Sequence, residues 1–285
     1  LFELPFITPE EQQRITRELL ACGADIVEMN TIRKRLSRVK AGRFAQHCAP
    51  ARVFSIVLSD IVGDPLDMIA SGPAYPDAST AEQALAIVKK YALHLSDEAL
   101  SCLEAPTPNH LSNVETHITG SVRALCAAAQ DAAQKLGFQC RMLTDCLDCE
   151  AREAGRFLAS IARSHQQTER PLAFFAGGET VVHLTGQGLG GRNQELALAA
   201  APGLRGTQNT AVCSFGSDGT DGPTDAAGGF VDQSSDAALR AAGLDVPQVL
   251  AENDAYHALQ KIGGLLMTGP TGTNVNDLAM VLIWR

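Results

Sequence analysis

The sequence predicts an α/β protein of two domains, and three observations carry that expectation. Short apolar runs at residues 53–58, 138–143, 172–176 and 210–215 alternate with longer helical patterns, which is the signature of βα units and of a parallel sheet. A chain of 285 residues that is 45% hydrophobic has core enough for one large domain or two ordinary ones. A polar stretch at 164–170, closed by Pro171, divides the pattern and predicts domains over 1–168 and 169–285.

The first of these domains opens on helices. Thr8-Pro9-Glu10-Glu11 combines a capping residue with proline at the first helical position, and Ile15, Leu19 and Leu20 supply an apolar stripe up to Gly23. A second helix follows from about Asp25, with Ile26, Met29, Ile32, Leu36 and Val39 on one face. Its other face carries Arg33, Lys34, Arg35, Arg38 and Lys40 and reads as a solvated surface, the alternative being that Lys40 or Arg43 reaches a bound anion. Residues 53–58 read as a buried parallel strand. Ser79-Thr80-Ala81-Glu82 starts a helix that runs to about Leu93, and 106–113 is a loop. Helices over 122–136 and 150–162 flank the strand at 138–143. In the second domain 172–176 and 181–184 are strands, the second of them leading into a glycine-rich loop, and a strand at 280–284 closes the chain.

Composition removes several classes of function. Lys and Arg number 23 against 32 Asp and Glu, a net charge of −9, so neither nucleic acid nor an anionic membrane is the expected partner. No apolar run approaches the roughly 20 residues that span a bilayer, and the expected location is the cytoplasm. Eight cysteines are scattered without a framework; only Cys146 and Cys149 have metal or redox spacing, and without a second pair they are expected to be free thiols. Residue 1 is Leu, and the chain reads as though cut from a longer sequence.

Chemistry gathers on four loops. Gly186-Gln187-Gly188-Leu189-Gly190-Gly191-Arg192-Asn193-Gln194-Glu195 runs straight into an Ala-rich helix. Glycines that turn amides inward, a helix N-terminus and the forked guanidinium of Arg192 together favour a phosphate or carboxylate. The strand at 53–58 breaks at Ser59-Asp60 and Gly63-Asp64, where open α/β sheets place their ligands, and Asp60 and Asp64 are candidates for Mg²⁺. Ser71-Gly72-Pro73 offers a hydroxyl and an amide. The strand at 210–215 ends in Gly216-Ser217-Asp218-Gly219-Thr220-Asp221-Gly222-Pro223-Thr224-Asp225, which lacks the closing Glu of a calcium loop but suits magnesium or a hydroxyl substrate. Thr268 to Leu278, rich in glycine, hydroxyls and amides, can wrap a polyanion, and Glu179 follows Gly177-Gly178 at another strand end.

Taken together, Ser59-Asp60 with Ser71-Gly72-Pro73, Gly190-Gly191-Arg192-Asn193-Gln194-Glu195, Asp218-Gly-Thr-Asp221-Gly-Pro-Thr-Asp225, and Thr268-Gly-Pro-Thr-Gly-Thr-Asn274-Val-Asn276-Asp277 resemble the class II glycerate 2-kinase family, in order and over nearly the whole chain. The resemblance implies ATP- and Mg²⁺-dependent transfer of phosphate to the 2-hydroxyl of D-glycerate. It implies a Rossmann-like N-terminal domain, a C-terminal MOFRL domain and an active site in the cleft between them; a homodimer is left open. It supports a catalytic role for Arg192 in gripping the transferring phosphate or the glycerate carboxylate; Asp60, Asp218 and Asp221 are the further catalytic candidates, for Mg²⁺ or for orienting the 2-hydroxyl, and Asp60, Asp64 and Asp221 the candidate metal ligands. Substrate or nucleotide contacts are implied for Ser59, Ser71, Gly72, Glu179, Gly190, Gly191, Asn193, Glu195, Thr273 and Asn274. The family also carries an upstream glycine-rich loop and a lysine that this sequence does not contain. Members are often labelled hydroxypyruvate reductase, so an NAD(P)H-dependent reductase is the alternative enzyme, although no clean dinucleotide fingerprint is present. A catalytically inactive ligand-binding fragment is the third reading.

Overall fold

The computed structural model describes residues 5–59, 63 and 65–285. The chain divides into two compact units, one of residues 1–57 and 64–119, the other of 58–63 and 120–285. The boundary expected at 168/169 therefore falls inside the second unit. The reason is β-pairing: the strand that precedes it is hydrogen-bonded to the strand that follows it.

The first unit holds helices α1 (Pro9–Ala21), α2 (Ile26–Leu36) and α3 (Arg43–Cys48), strand β1 (Val53–Leu58), helices α4 (Ala81–Tyr91) and α5 (Asp97–Glu104), and strand β2 (Val114–Gly120). The capping signals act as expected: Thr8 Oγ1 accepts the Glu11 amide, and Asp25 and Glu28 close a reciprocal capping box on α2. Ile15, Leu19, Met29, Ile32, Leu36, Ala84, Ile87 and Leu103 form the helical core.

Two expectations fail in this unit. The β1 strand is not buried: it pairs with β2 in a two-stranded sheet, and Phe54, Ile56 and Leu58 are exposed. Nor is the basic face of α2 a solvated surface, for Lys34 and Arg35 are 1% and 2% exposed. Arg35 donates to the carbonyls of Leu103 and Ala105 at the end of α5 and of Ser79 before α4, which satisfies acceptors that a helix end leaves open. Arg43 does the same for Lys34 and Ser37 at the end of α2 itself. Lys34 Nζ meets Asp67 at 2.8 Å and Asp77 at 3.5 Å. Helical periodicity separates faces by polarity, but the loop between β1 and α4 brings carboxylates onto the charged face and buries it.

The second unit holds helix α6 (Val122–Lys135), strand β3 (Gln139–Leu147), helix α7 (Ala151–Ser164), strand β4 (Leu172–Gly178), helix α8 (Arg192–Ala200), strands β5 (Thr210–Gly216) and β6 (Gly228–Asp232), helices α9 (Ser235–Ala241), α10 (Val246–Ala251) and α11 (Ala255–Lys261), and strands β7 (Leu265–Leu266) and β8 (Asp277–Ile283). Its six-stranded sheet has the order β3-β4-β8-β5-β6-β7. Only β3 and β4 are parallel; β8 runs antiparallel between β4 and β5, so the expected parallel sheet is a mixed one. Beyond the βα unit at β3 and β4, chain order does not reveal that the last strand is inserted in the middle.

Alternation along β4 places the two layers. Ala173 and Phe175 pack with Val122, Cys126 and Leu278 beneath α6, whereas Phe174 and Ala176 face Leu158, Leu196 and the α7–α8 layer. The strand expected at 181–184 is a single bridge: Val181 donates to Cys149 O and accepts from the Ala151 amide, and the chain then leaves as a loop.

Replacing Lys34 with Met in this arrangement leaves Asp67 and Asp77 without their cation and should destabilise the protein by about 3–5 kcal/mol in chemical denaturation. A change within about 0.5 kcal/mol, typical of a surface site, contradicts the burial of this face.

Candidate active site

The glycine-rich loop is built against the segment that joins α10 to α11. Asn253, at φ +54°, accepts the amides of Thr185 and Gly186 on Oδ1 and donates to His183 O and to Glu195 through Nδ2. Gly188 donates to Glu252 O, and Leu189 donates to Asp254 Oδ1. A Cβ on Gly188 would lie 2.5 Å from that of Asp254. Much of the glycine content thus permits loop-on-loop packing, and these amides are already spent inside the protein.

The N-terminus of α8 already holds an anion. Asp221 Oδ1 accepts the Asn193 amide at 3.1 Å and Oδ2 accepts the Gln194 amide at 2.8 Å, with a further bond from Asn193 Nδ2 at 3.2 Å. A Cβ on Gly191 would meet the Asp221 carboxyl carbon at 2.3 Å, so glycine is needed for this carboxylate to approach. Asp221 is 2% exposed, and burial pushes its carboxyl up to about 6 against the pull of the two amides, with Asp277 nearby adding to the rise. Asp221, expected as a magnesium ligand and catalytic carboxylate, caps α8 in the structure. What remains of the phosphate cradle is smaller. The amides of Gly190, Gly191 and Arg192 donate to no acceptor among the described residues, and all three residues line a cavity.

That cavity measures about 870 Å³ and belongs wholly to the second unit. Arg192 stands at its edge, one-third exposed, and the start of β8 orients it: Asp277 Oδ2 lies 2.5 Å from Nε and Oδ1 lies 3.1 Å from Nη2. Nη1 lies 3.2 Å from Glu179 Oε1, and Asn276 Nδ2 holds the other Glu179 oxygen at 3.2 Å. Burial works against the charge on Arg192, but the Asp277 carboxylate outweighs it and raises the pKa further. Asp277, which closes the Thr268–Asp277 motif, and Asn253 were given no site role by the sequence. Asp277 carried one usable signal, a charged residue at the first position of an apolar strand; Asn253 carried none.

The other expected site residues separate into groups. Glu179, Gly190, Gly191, Arg192 and Glu195 line the cavity. Asn193 is buried between Asp221 and Ser214 Oγ and supports α8 from inside. Glu195 is 2% exposed and bonded to Arg152 and Asn253; burial raises its pKa against the opposing charge of Arg152. Asp218 accepts the Thr220 amide and lies on a loop tied to 271–275 through Thr271 and Val275, so it shares a neighbourhood with the exposed Thr273 and Asn274. Ser59 is buried and donates its amide to Gly120 O. Ser71 and Gly72 lie in the first unit, on a turn where Ala70, Ser71 and Gly72 all take φ between +50° and +62°. Asp60 and Asp64 fall outside the described residues. Among the described residues no group of three or more His, Cys, Asp or Glu side chains is placed to hold a metal ion. The two cysteines at 146 and 149 are free.

Because the folded pKa of Asp221 is about 6 and its ordinary value is 3.8, the folded state keeps a proton that the unfolded chain has released. This group's contribution is fully present below about pH 4 and is lost as pH rises through 6, a change on the order of 3 kcal/mol. The unfolding free-energy difference between Asp221→Asn and wild type should therefore shift in favour of the variant between pH 4 and 7. A difference independent of pH contradicts the assignment.

Comparison with known proteins bears on the same loops. Residues 172–277 match the MOFRL family, and residues 1–104 match a domain of unknown function, DUF4147. A D-glycerate 2-kinase of Thermotoga maritima is 54% identical over 99% of this chain and 69% of its own length. A glycerate 2-kinase of Pyrococcus horikoshii is 40% identical over 99% of this chain and 68% of its own length. The crystal structure of the Thermotoga maritima glycerate kinase superposes with a TM-score of 0.94, covering 99% of this chain and 70% of that one. A Pyrococcus horikoshii structure gives 0.90 at 39% identity, covering 100% of this chain and 69% of that one. With identity of 54% and 40% over 99% of its length, the chain belongs to the class II glycerate 2-kinase family, and its residues 172–277 form the MOFRL part.

Proposed function

We propose that this protein transfers the γ-phosphoryl group of ATP to the 2-hydroxyl of D-glycerate. The observation that carries the reading is Arg192, a guanidinium fixed by Asp277 at the edge of a large cavity beside three amides without acceptors among the described residues. Phosphoryl transfer asks little covalent chemistry of a protein; it asks for charge neutralisation and in-line positioning. The bond from the glycerate oxygen to the γ-phosphorus forms as the bond from that phosphorus to the β–γ bridging oxygen breaks. Arg192 is proposed to neutralise the phosphate charge in that exchange.

Its two carboxylates have different parts. Asp277, 6% exposed, keeps Nε and Nη2 and so fixes the plane of the guanidinium. Glu179 has a side chain about half exposed and holds only Nη1, the edge at which a phosphate oxygen can replace it. ATP is the proposed donor, and magnesium is proposed to enter on its phosphates, since such ions often keep water and phosphate as their main ligands. No step is assigned to a metal held by the described residues.

The reductase reading has less support. Among the described residues no histidine lines the cavity to act as a proton donor to a carbonyl. Incubation with ATP and D-glycerate should yield ADP and 2-phosphoglycerate. Oxidation of NAD(P)H by hydroxypyruvate without ADP formation would overturn the proposal, and nucleotide binding without turnover would identify a binding protein instead.

Arg192→Ala should lower kcat/KM by roughly 100-fold, about 3 kcal/mol of transition-state stabilisation, as expected for one preorganised donor. Asp277→Asn leaves the arginine in place but frees its plane, and should lower kcat by at least about tenfold with a smaller change in the KM for D-glycerate. Unchanged kcat in both variants contradicts the role given to this pair.

A further inference from the structure

The cavity beside Arg192 is far larger than a three-carbon acid needs, and its walls are of two kinds. Part of the lining is polar, with Arg192 and the amides of Gly190 and Gly191; part is apolar, with Val181, Val182, Leu184 and Pro223. Leu184 is 82% exposed and Val181 54%, which is unusual for large aliphatic side chains gathered on one surface. These residues are held in place. Val181 is bonded on both sides to Cys149 and Ala151, and Thr185 and Gly186 are fixed by Asn253, so the wall between them is anchored at both ends. A cavity of about 870 Å³ falls in the range, roughly 300–1,000 Å³, that takes a whole cofactor-sized ligand.

We propose that this cavity is the nucleotide seat, with the base and ribose of a purine nucleoside di- or triphosphate against Val181, Leu184 and Pro223 and its phosphates at Gly190, Gly191 and Arg192. The inference rests on the kinase reading and adds to it which part of the second unit takes which part of the donor. A planar base covers aliphatic side chains that otherwise face water, and the phosphates meet the amides that Asp221 and the 252–254 segment leave free. A single arginine with a few amides supplies charge for the phosphates, whereas the apolar side chains supply the base affinity, so the two contributions are separable by mutation.

The test is calorimetric titration of the full chain with ADP, pyrophosphate and adenosine. Leu184→Asp should weaken ADP and adenosine about tenfold or more, as expected for a lost large apolar contact, and leave pyrophosphate within about twofold. Arg192→Ala should weaken ADP and pyrophosphate and spare adenosine. Because Leu184 is exposed, the fold should survive its replacement, which an unchanged Tm confirms. ADP affinity that is indifferent to Leu184→Asp overturns the inference, as does binding of NADH with no binding of ADP. Failure of the kinase reading shows separately, as ADP binding that keeps this pattern without phosphorylation of D-glycerate.

Discussion

The second unit depends on one carboxylate at the start of one helix. Asp221 caps α8, and through that cap it fixes Asn193 and Gln194, the turn at Gly190 and Gly191, and the position from which Arg192 leaves the helix. In a chain of net charge −9, a polyanion is repelled over most of the surface, and recognition has to be concentrated where a cation is fixed. The proposed point of recognition is an arginine between two acids, Asp277 nearly buried and Glu179 half-exposed.

This arrangement alters the usual meaning of a glycine-rich loop before a helix. In a phosphate-binding turn the helix N-terminus itself receives the ligand. Here the first-turn amides are occupied by Asp221, and the loop is committed to Asn253 and Asp254 over much of its length. The glycines serve close approach between loops, and the site that remains is a short edge of three amides next to a guanidinium. The ligand-facing part of the motif is smaller than its sequence suggests, and the supporting part is larger.

Legibility from sequence followed the range of the interactions involved. Capping boxes and the helices of the βα unit depend on neighbours a few residues away, and they stood where the pattern placed them, as did the apolar strands except the one expected at 181–184. The insertion of β8 between β4 and β5 and the buried Lys34–Asp67–Asp77 cluster depend on partners far along the chain, and composition gives no warning of either. The same holds at the site. Arg192 was legible because glycines and a helix announced it, and the family resemblance was legible because its motifs are long. The Asp277–Arg192 pair, the bonds of Asn253 and the Asp221 cap on α8 became visible only when the loops came together.

In the proposed reaction Arg192 meets the transferred phosphate while Asp277 keeps hold of it. A crystal structure of the protein with a non-hydrolysable ATP analogue tests this most directly. The account requires an Arg192 nitrogen within roughly 2.7–2.9 Å of a phosphate oxygen, Glu179 displaced from Nη1, and the Asp277 pair intact. An analogue bound elsewhere, with Arg192 still shared between Glu179 and Asp277, would contradict it.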